Sequence, residues 1–214
     1  MTKLTLEQLC VFESKTEQHQ ISMALLAEYY EKYLMPRTYR FELDNGTIID
    51  LKFERKDFCH LVGIPQTAKV RYEMNVKKKN PRNITLQMYS GVKGFKRVRK
   101  GKIEFSDLRK LHSGYYAKEE RYEKVNFFHF MDRLLTSSNV NIIKFVELDD
   151  SKIKCEFLFH NEYDGALLHL GIEKEEDKDN FFPKTFFRYY IDTADYDKFI
   201  KVELPIAIKN RSVI

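Results

Sequence analysis

His60 is the residue whose type and setting point most directly to chemistry. It lies in the segment Phe58-Cys-His-Leu-Val-Gly-Ile. Histidine can take or give a proton near neutral pH because its unperturbed pKa is about 6.5. In RNA cleavage without a metal, one group takes the 2′-hydroxyl proton, another protonates the leaving oxygen, and a cation stabilises the charge on phosphorus. His60 is a candidate for proton transfer, and the alternative is a half-buried histidine with a structural role.

A basic segment follows soon after His60. From residue 69 to residue 102 the chain carries twelve Lys or Arg and one acid, Glu73, whereas the whole chain has a net charge of only +5. Such segregation creates a local positive field. Cations neutralise phosphates with release of counterions, and aromatic rings such as Tyr72, Tyr89 and Phe95 offer faces for base stacking. The predicted nucleic-acid-binding residues are Lys77, Lys78, Lys79, Arg82, Lys93, Lys96, Arg97, Arg99, Lys100 and Lys102. RNA, DNA and an acidic protein surface all fit this segment, and the alternative is a solvated loop.

Thr185 lies in the aromatic segment Phe181-Phe-Pro-Lys-Thr-Phe-Phe-Arg-Tyr-Tyr. The segment is predicted to be a strand, and alternation places Thr185 and Phe187 on one face. A threonine hydroxyl on a sheet face can donate a hydrogen bond to a phosphate. The alternative is a central strand whose side chains fill the core.

Other kinds of site are not indicated by the sequence. It has no Walker loop, GxGxxG fingerprint, HExxH or GxSxG motif. The histidines have no metal-ligand spacing, and Cys10, Cys59 and Cys155 are far apart, as expected for free thiols in a reducing cytosol. No apolar run approaches the roughly 20 residues that span a bilayer. We therefore expect a cytoplasmic protein with no cofactor, no metal and no membrane partner.

The elements that would position these residues begin with helices. Apolar spacing predicts one or two helices over residues 4–34, ended by Pro36. Alternation over 39–43 and 48–53 around Asn45-Gly46 predicts a β-hairpin, because Asn-Gly tolerates the positive φ of a tight turn. A short helix over 55–61 is predicted to stop at Gly63.

The rest of the chain changes from helical to strand periodicity. Helices are predicted over residues 84–98, 105–111 and 117–135, and the last has an apolar stripe. Strands are predicted over 141–148, 152–159, 166–172, 184–190 and 202–208, with a turn at 163–165. This order predicts an α+β fold in which N-terminal helices precede a small antiparallel sheet packed by helices.

Four of these segments, in this order, resemble one family. They are Asp57-Phe-Cys-His-Leu-Val-Gly-Ile, Glu120-Arg-Tyr-Glu-Lys-Val-Asn-Phe-Phe-His-Phe, Asn141-Ile-Ile-Lys-Phe and Phe182-Pro-Lys-Thr-Phe-Phe. The family is the fourth group of phage-associated Barnase–EndoU–colicin E5/D–RelE-like nucleases. The resemblance covers about residues 38–210. It implies residues 1–37 as an N-terminal helical extension and residues 38–214 as one nuclease-like α+β domain with a basic insert at about 69–102.

The resemblance also implies a site and an activity. His60 would transfer a proton, Arg121 and Lys144 would stabilise phosphate charge, and Thr185, which stands where the family pattern favours Ser, would hydrogen-bond the phosphate. The implied activity is metal-independent RNA cleavage through the 2′-hydroxyl, of the kind found in toxins and conflict systems of bacteria and phages. The implied partners are RNA or a ribonucleoprotein, with an antitoxin or a host protein as further partners.

Two other hypotheses remain open at this point. The first is a non-catalytic module that binds nucleic acid or a ribonucleoprotein, such as a phage-encoded inhibitor, through the basic segment. The second is an interaction protein that docks through an apolar face on residues 4–34. The oligomeric state does not follow from the sequence.

Overall fold

The computed structural model describes residues 2–77, 86–111, 123–145, 153–176, 178–201 and 204–214, with only the backbone of residues 74–77. These residues form two compact units, each built from two separate stretches of chain. Unit 1 contains residues 1–32 and 55–129, and unit 2 contains residues 33–54 and 130–214. The predicted division of the chain at residue 37 stays a prediction.

Unit 1 is helical in its described part. Its elements are α1 (Leu6–Val11), α2 (Met23–Tyr29), α3 (Arg55–Leu61), α4 (Ile64–Lys77), α5 (Gly91–Arg99) and α6 (Phe105–Leu111), with 3-10 turns at Leu86–Tyr89 and Glu123–Phe130. A π-helical turn, Tyr30–Leu34, follows α2 and ends two residues before Pro36. Thr5 caps α1 in a capping box with Gln8, and the Ser22 hydroxyl accepts a hydrogen bond from the Leu25 N–H at the start of α2.

An aromatic cluster holds unit 1 together. Tyr30, Phe58, Phe95 and Phe128 are each at most 1% exposed. The Phe58 ring centroid lies 5.3 Å from that of Tyr30, 5.4 Å from that of Phe95 and 5.8 Å from that of Phe128. Edge-to-face aromatic pairs at such distances are favourable beyond the area they bury. The cluster therefore fixes α3 against α5, which sets the position of His60 relative to the basic helix.

Most of the predicted docking face on residues 4–34 is buried. Of the residues that define the apolar spacing, Leu9, Met23, Leu26 and Tyr30 are fully buried and Phe12 is half-buried. Four of these five side chains belong to the core, so most of the apolar surface that the docking hypothesis requires is covered.

In its described part, unit 2 contains one α-helix and the sheet. The helix is α7 (Met131–Thr136), and the strands are β1 (Thr38–Leu43), β2 (Ile48–Lys52), β3 (Asn141–Lys144), β4 (Phe157–Tyr163), β5 (Ala166–Lys174), β6 (Phe181–Tyr190) and β7 (Ile208–Val213). The strand order is β3-β4-β5-β6-β2-β1-β7. The Ile206 N–H donates a hydrogen bond of 2.7 Å to the Ile142 carbonyl, so the chain entering β7 returns to β3 and the sheet is a nearly closed barrel.

The α+β class is confirmed, but the prediction of a small antiparallel sheet is wrong. The described residues contain seven α-helices and one seven-stranded sheet. The sheet is mixed because β2 pairs with β6 in parallel, with Leu51 opposite Phe181, while its other pairs are antiparallel. The early hairpin therefore lies between β6 and β7, and the sheet is larger than its C-terminal strands alone.

Local predictions near strong turn residues are confirmed. The hairpin turns at Asn45-Gly46, where Gly46 has φ +85°, and α3 ends before Gly63, where φ is +80°. The helix at 105–111 is confirmed, whereas the strand predicted at 152–159 lies at Phe157–Tyr163 and the last strand lies at Ile208–Val213.

Within the described residues, no helix is long and apolar enough to cross a membrane.

Candidate functional site

His60 is an exposed residue near the C-terminal end of α3. The Gly63 N–H donates a hydrogen bond of 3.0 Å to the His60 carbonyl, and the positive φ of Gly63 turns the chain into α4 at Ile64. This tight connection brings the first turn of α4 back beside the His60 ring. The Gln66 Nε2 atom lies 3.2 Å from His60 Nδ1.

The contact with Gln66 orients the His60 ring. An amide can present either its oxygen or its nitrogen to Nδ1, so either tautomer of the imidazole is compatible with the contact. In both cases the contact involves Nδ1 and not Nε2. A side chain held at one nitrogen is the usual arrangement of a histidine that transfers protons at the other.

Cys59, beside His60, has a structural role. Its Sγ atom is 4.0 Å from the Gly91 carbonyl oxygen at the start of α5. Burial raises the pKa of the Cys59 thiol to about 12, so it is neutral at physiological pH and is not a thiolate nucleophile. A Cβ atom on Gly94 would lie 2.8 Å from this sulfur, so glycine at 94 allows α3 and α5 to pack closely.

The exposed side of α5 carries a stripe of cations. Lys93, Lys96, Arg97 and Lys100 recur at the spacing of one helical face, and the opposite side buries Phe95. We call these four cations the α5 stripe. In the described part of the chain, none of the four makes an ion pair, and neither does the exposed Lys102 that follows. Its three lysines are exposed and Arg97 is half-buried with its Nε atom enclosed, so the lysines are the members of the stripe most available to an anionic partner.

Arg99, the remaining cation of α5, is engaged within unit 1. Its guanidinium lies 3.1 Å from a Glu31 carboxylate oxygen and 3.6 Å from a Glu28 carboxylate oxygen. It also contacts the Ala24 carbonyl at 3.5 Å. These contacts tie α5 to the α2 region, so the predicted nucleic-acid-binding residues of α5 divide into unpaired cations and one paired cation.

A comparison with models of protein families assigns the chain to one family. A model described as phage-Barnase-EndoU-ColicinE5/D-RelE like nuclease4 matches residues 25–211, which is most of the chain. The chain belongs to this family. No curated protein and no solved structure matches it. Membership in a nuclease-like family implies a nucleic-acid substrate. The match begins within α2, includes α3 and α5, and ends within β7.

The predicted site residues of this nuclease-like chain are distributed over both units. His60 lies in unit 1, while Lys144 and Thr185 lie in unit 2. Arg121 lies outside the described residues, as do Lys78, Lys79 and Arg82, and the Lys77 side chain is not described. Their roles stay predictions.

The register of the sheet separates Lys144 from Thr185. Ile143 pairs with Leu158, Leu158 with Gly171, and Gly171 with Thr185. These four residues form one row across the sheet. Lys144 follows Ile143 and points to the other face. Thr185 lies three strand spacings from β3, about 14 Å along the sheet.

Thr185 packs closely on the neighbouring strand. A Cβ atom on Gly171 would lie 2.8 Å from Thr185 Cγ2 and 2.9 Å from Cys155 Sγ. Burial raises the pKa of the Cys155 thiol to about 12, so this thiol is also neutral. Within the described residues, no group of three or more His, Cys, Asp or Glu side chains is arranged to hold a metal ion.

Two residues that contact His60 or the Gly63 turn after it were not identified from the sequence. Gln66 contacts the imidazole, and Lys124 lies beside Gly63 at the end of α3. Gln66 is six residues after His60, a spacing that no single helix brings together, so only the turn at Gly63 reveals it. Lys124 lies in the same segment as Arg121, and its proximity to α3 is a long-range contact that local patterns do not encode.

Proposed function

We propose that this protein is a ribonuclease that cleaves RNA through its 2′-hydroxyl without a divalent metal. His60 takes the 2′-hydroxyl proton, the 2′-oxygen attacks phosphorus, and the bond from phosphorus to the 5′-oxygen breaks. The products are a 2′,3′-cyclic phosphate and a 5′-hydroxyl end. The observation that carries this proposal is the exposed His60, held by Gln66 on a helix that packs directly against the basic helix of a nuclease-like family member.

The charge on α5 supports an RNA substrate. The α5 stripe presents its cations along one helical face, a pattern that matches successive phosphates of a strand. Cys59 and Phe58 connect the His60 helix to α5, so the cations and the imidazole lie on two helices that pack directly against each other. The family resemblance makes Arg121, Lys144 and Thr185 further candidates to contact phosphates of the RNA, with Lys144 and Thr185 at different phosphates because they lie on opposite faces of the sheet.

Cleavage in the absence of metal tests this function. A mixed RNA pool and tRNA are incubated in excess EDTA with wild type, His60→Ala and His19→Ala. His19 is also exposed and lies in unit 1, so it is the matched control. Wild type and His19→Ala should cut at discrete positions, and His60→Ala should be slower by about 100-fold or more, because general acid–base catalysis contributes at least that much.

Each result of this experiment has a definite meaning. Equal cleavage by His60→Ala and wild type would remove His60 from the mechanism. Intact RNA with wild type would argue against the ribonuclease. Because His60 is exposed, His60→Ala should keep the wild-type melting temperature, which separates loss of catalysis from loss of folding.

A second function, RNA binding without cleavage, is favoured by the separation of Lys144 and Thr185 in the sheet. Two residues on opposite faces do not hold one phosphate together. The α5 stripe would still bind RNA, and the protein would act by binding to a nucleic acid or a ribonucleoprotein and blocking it. This function predicts affinity that falls steeply with salt and RNA that is recovered intact.

A further inference from the structure

Lys124 is placed at the end of the His60 helix. It lies in the 3-10 turn Glu123–Phe130 and is half-buried, and it belongs to unit 1 like His60. A Cβ atom on Gly63 would lie 3.5 Å from Lys124 Cε and 3.7 Å from Lys124 Nζ. The ammonium group therefore packs against Gly63, the residue whose N–H is hydrogen-bonded to the His60 carbonyl.

The reaction proposed above needs a second proton-transfer group. His60 removes the 2′-hydroxyl proton, but the 5′-oxygen is a poor leaving group as an alkoxide and must receive a proton. An ammonium group near the histidine can supply that proton and can also attract the phosphate. In unit 1, the structure places the cation Lys124 against Gly63, in the turn that follows His60.

We propose that Lys124 is the general acid that protonates the 5′-oxygen in the cleavage initiated by His60. This inference rests on the proposed ribonuclease function. In the step, the Lys124 N–H bond breaks as the bond from phosphorus to the 5′-oxygen breaks, and the proton passes to that oxygen. Lys124 is left as a neutral amine and regains a proton from water before the next turnover.

The burial of Lys124 suits this role. Burial lowers the pKa of Lys124 to about 8, because the charged form loses contact with water. An ordinary lysine, with a pKa of about 10.4, releases its proton less readily. At pH 7 a group with a pKa of about 8 is still about nine-tenths protonated, so it is both charged and ready to donate.

A structural role for Lys124 is the alternative. A cation beside the end of a helix interacts favourably with the last carbonyl groups of that helix. Such a role would affect stability and the cleavage of every substrate to the same extent. A general acid has a different signature, because its loss matters only when the leaving group needs a proton.

The test uses two RNA substrates that differ in one atom. The first has a normal phosphodiester, and the second has sulfur in place of the bridging 5′-oxygen, so the leaving thiolate needs no proton. Both are incubated in EDTA with wild type, Lys124→Met, His60→Ala and the control Lys110→Met. Lys110 is exposed in α6, and its ammonium is 3.6 Å from an Asp107 carboxylate oxygen.

Lys124→Met should cleave the normal substrate about 100-fold more slowly than wild type, as expected for a lost general acid. It should cleave the sulfur substrate at nearly the wild-type rate, which also shows that the variant is folded. His60→Ala should be slow on both substrates, and Lys110→Met should match wild type on both. Lys124→Arg should not restore the normal rate, because arginine keeps the charge but does not release its proton.

Other outcomes overturn the inference in distinguishable ways. Equal slowing of Lys124→Met on both substrates, or full rescue by Lys124→Arg, would give Lys124 a structural or electrostatic role. A wild-type rate for Lys124→Met would remove it from the reaction. If wild type cleaves neither substrate, the ribonuclease function itself fails, and the role of Lys124 fails with it.

Discussion

At the residue scale, the contact between Gln66 and His60 gives the proposed base its orientation. The two atoms are 3.2 Å apart, and Gln66 lies on a different helix from His60. Neither residue alone determines the ring position, because an exposed histidine without a partner samples several rotamers. The chemistry therefore depends on the turn at Gly63 as much as on His60.

We expect Gln66→Leu to slow RNA cleavage by about fivefold, with KM little changed. The lost hydrogen bond is worth about 1 kcal/mol, which corresponds to roughly that factor in rate when it acts on the transition state. Steady-state kinetics on one RNA substrate measures this, with Gln87→Leu, an exposed glutamine of unit 1, as the control. An unchanged kcat for Gln66→Leu would mean that the contact does not orient the base.

Two buried histidines, His160 and His169, should make the stability of unit 2 sensitive to acid. His160 and His169 are opposite each other on β4 and β5, and His169 stacks on Phe187 with ring centroids 4.6 Å apart. Burial lowers the pKa of His160 to about 4 and that of His169 to about 3. Both are therefore neutral in the folded protein, whereas the unfolded chain binds protons below about pH 6.5.

The stability that this pair contributes is fully present above about pH 6.5 and is lost as the pH falls toward 3. We expect the free energy of unfolding to be lower at pH 4 than at pH 7 by on the order of 3 kcal/mol because of His169 alone. Urea unfolding from pH 7 to pH 4 should show a smaller loss for His169→Leu than for wild type. The exposed His19→Leu is the control, and parallel curves for His169→Leu and wild type would contradict this explanation.

At the element scale, α5 combines a packing face and a binding face. Phe95 packs into the aromatic cluster, while the three lysines of the α5 stripe are exposed. The spacing of these residues is local, so it can be read from the sequence. The pairing of Arg99 with Glu31 joins residues 68 positions apart, so sequence periodicity does not reveal it.

Neutralising two cations of the α5 stripe should weaken RNA binding without unfolding the protein. For Lys96→Gln combined with Lys100→Gln, the plot of log affinity against log salt should be shallower by about 1.4, because each single-stranded phosphate contact contributes about 0.7. Fluorescence anisotropy with a labelled RNA at several salt concentrations measures the slope. Arg99→Gln is the matched control, and its slope should equal that of wild type, since Arg99 is already paired. Identical slopes for the double variant and wild type would exclude the stripe as the binding surface.

At the scale of the whole molecule, local structure could be predicted better than pairing. The hairpin around Gly46, the helix ending before Gly63 and the turn at Gly165 depend on backbone conformations that favour glycine, so the sequence indicates them directly. The parallel pairing of Leu51 with Phe181 joins distant parts of the chain, and alternation within each strand does not encode it. The seven-stranded mixed sheet was therefore missed while the α+β class was correct.

The candidate site divides in the same way. His60 and the α5 stripe could be proposed from residue type and spacing, because each lies within one helix. The contact of Gln66 with His60 and the contact of Lys124 with Gly63 both form only in the folded chain. The lowered pKa of Lys124 depends on burial. Burial is a property of the packed chain, so the sequence alone does not show which lysine is affected.

The most direct test of the central claim is analysis of the ends produced when wild-type protein cuts one defined RNA in EDTA. Mass spectrometry should find a 2′,3′-cyclic phosphate on one fragment and a 5′-hydroxyl on the other. The same RNA with a single 2′-deoxy nucleotide at the cut position should stay intact, because its attacking group has been removed. Cleavage of the deoxy-substituted RNA at that position, or fragments with 5′-phosphate ends, would contradict a reaction through the 2′-hydroxyl.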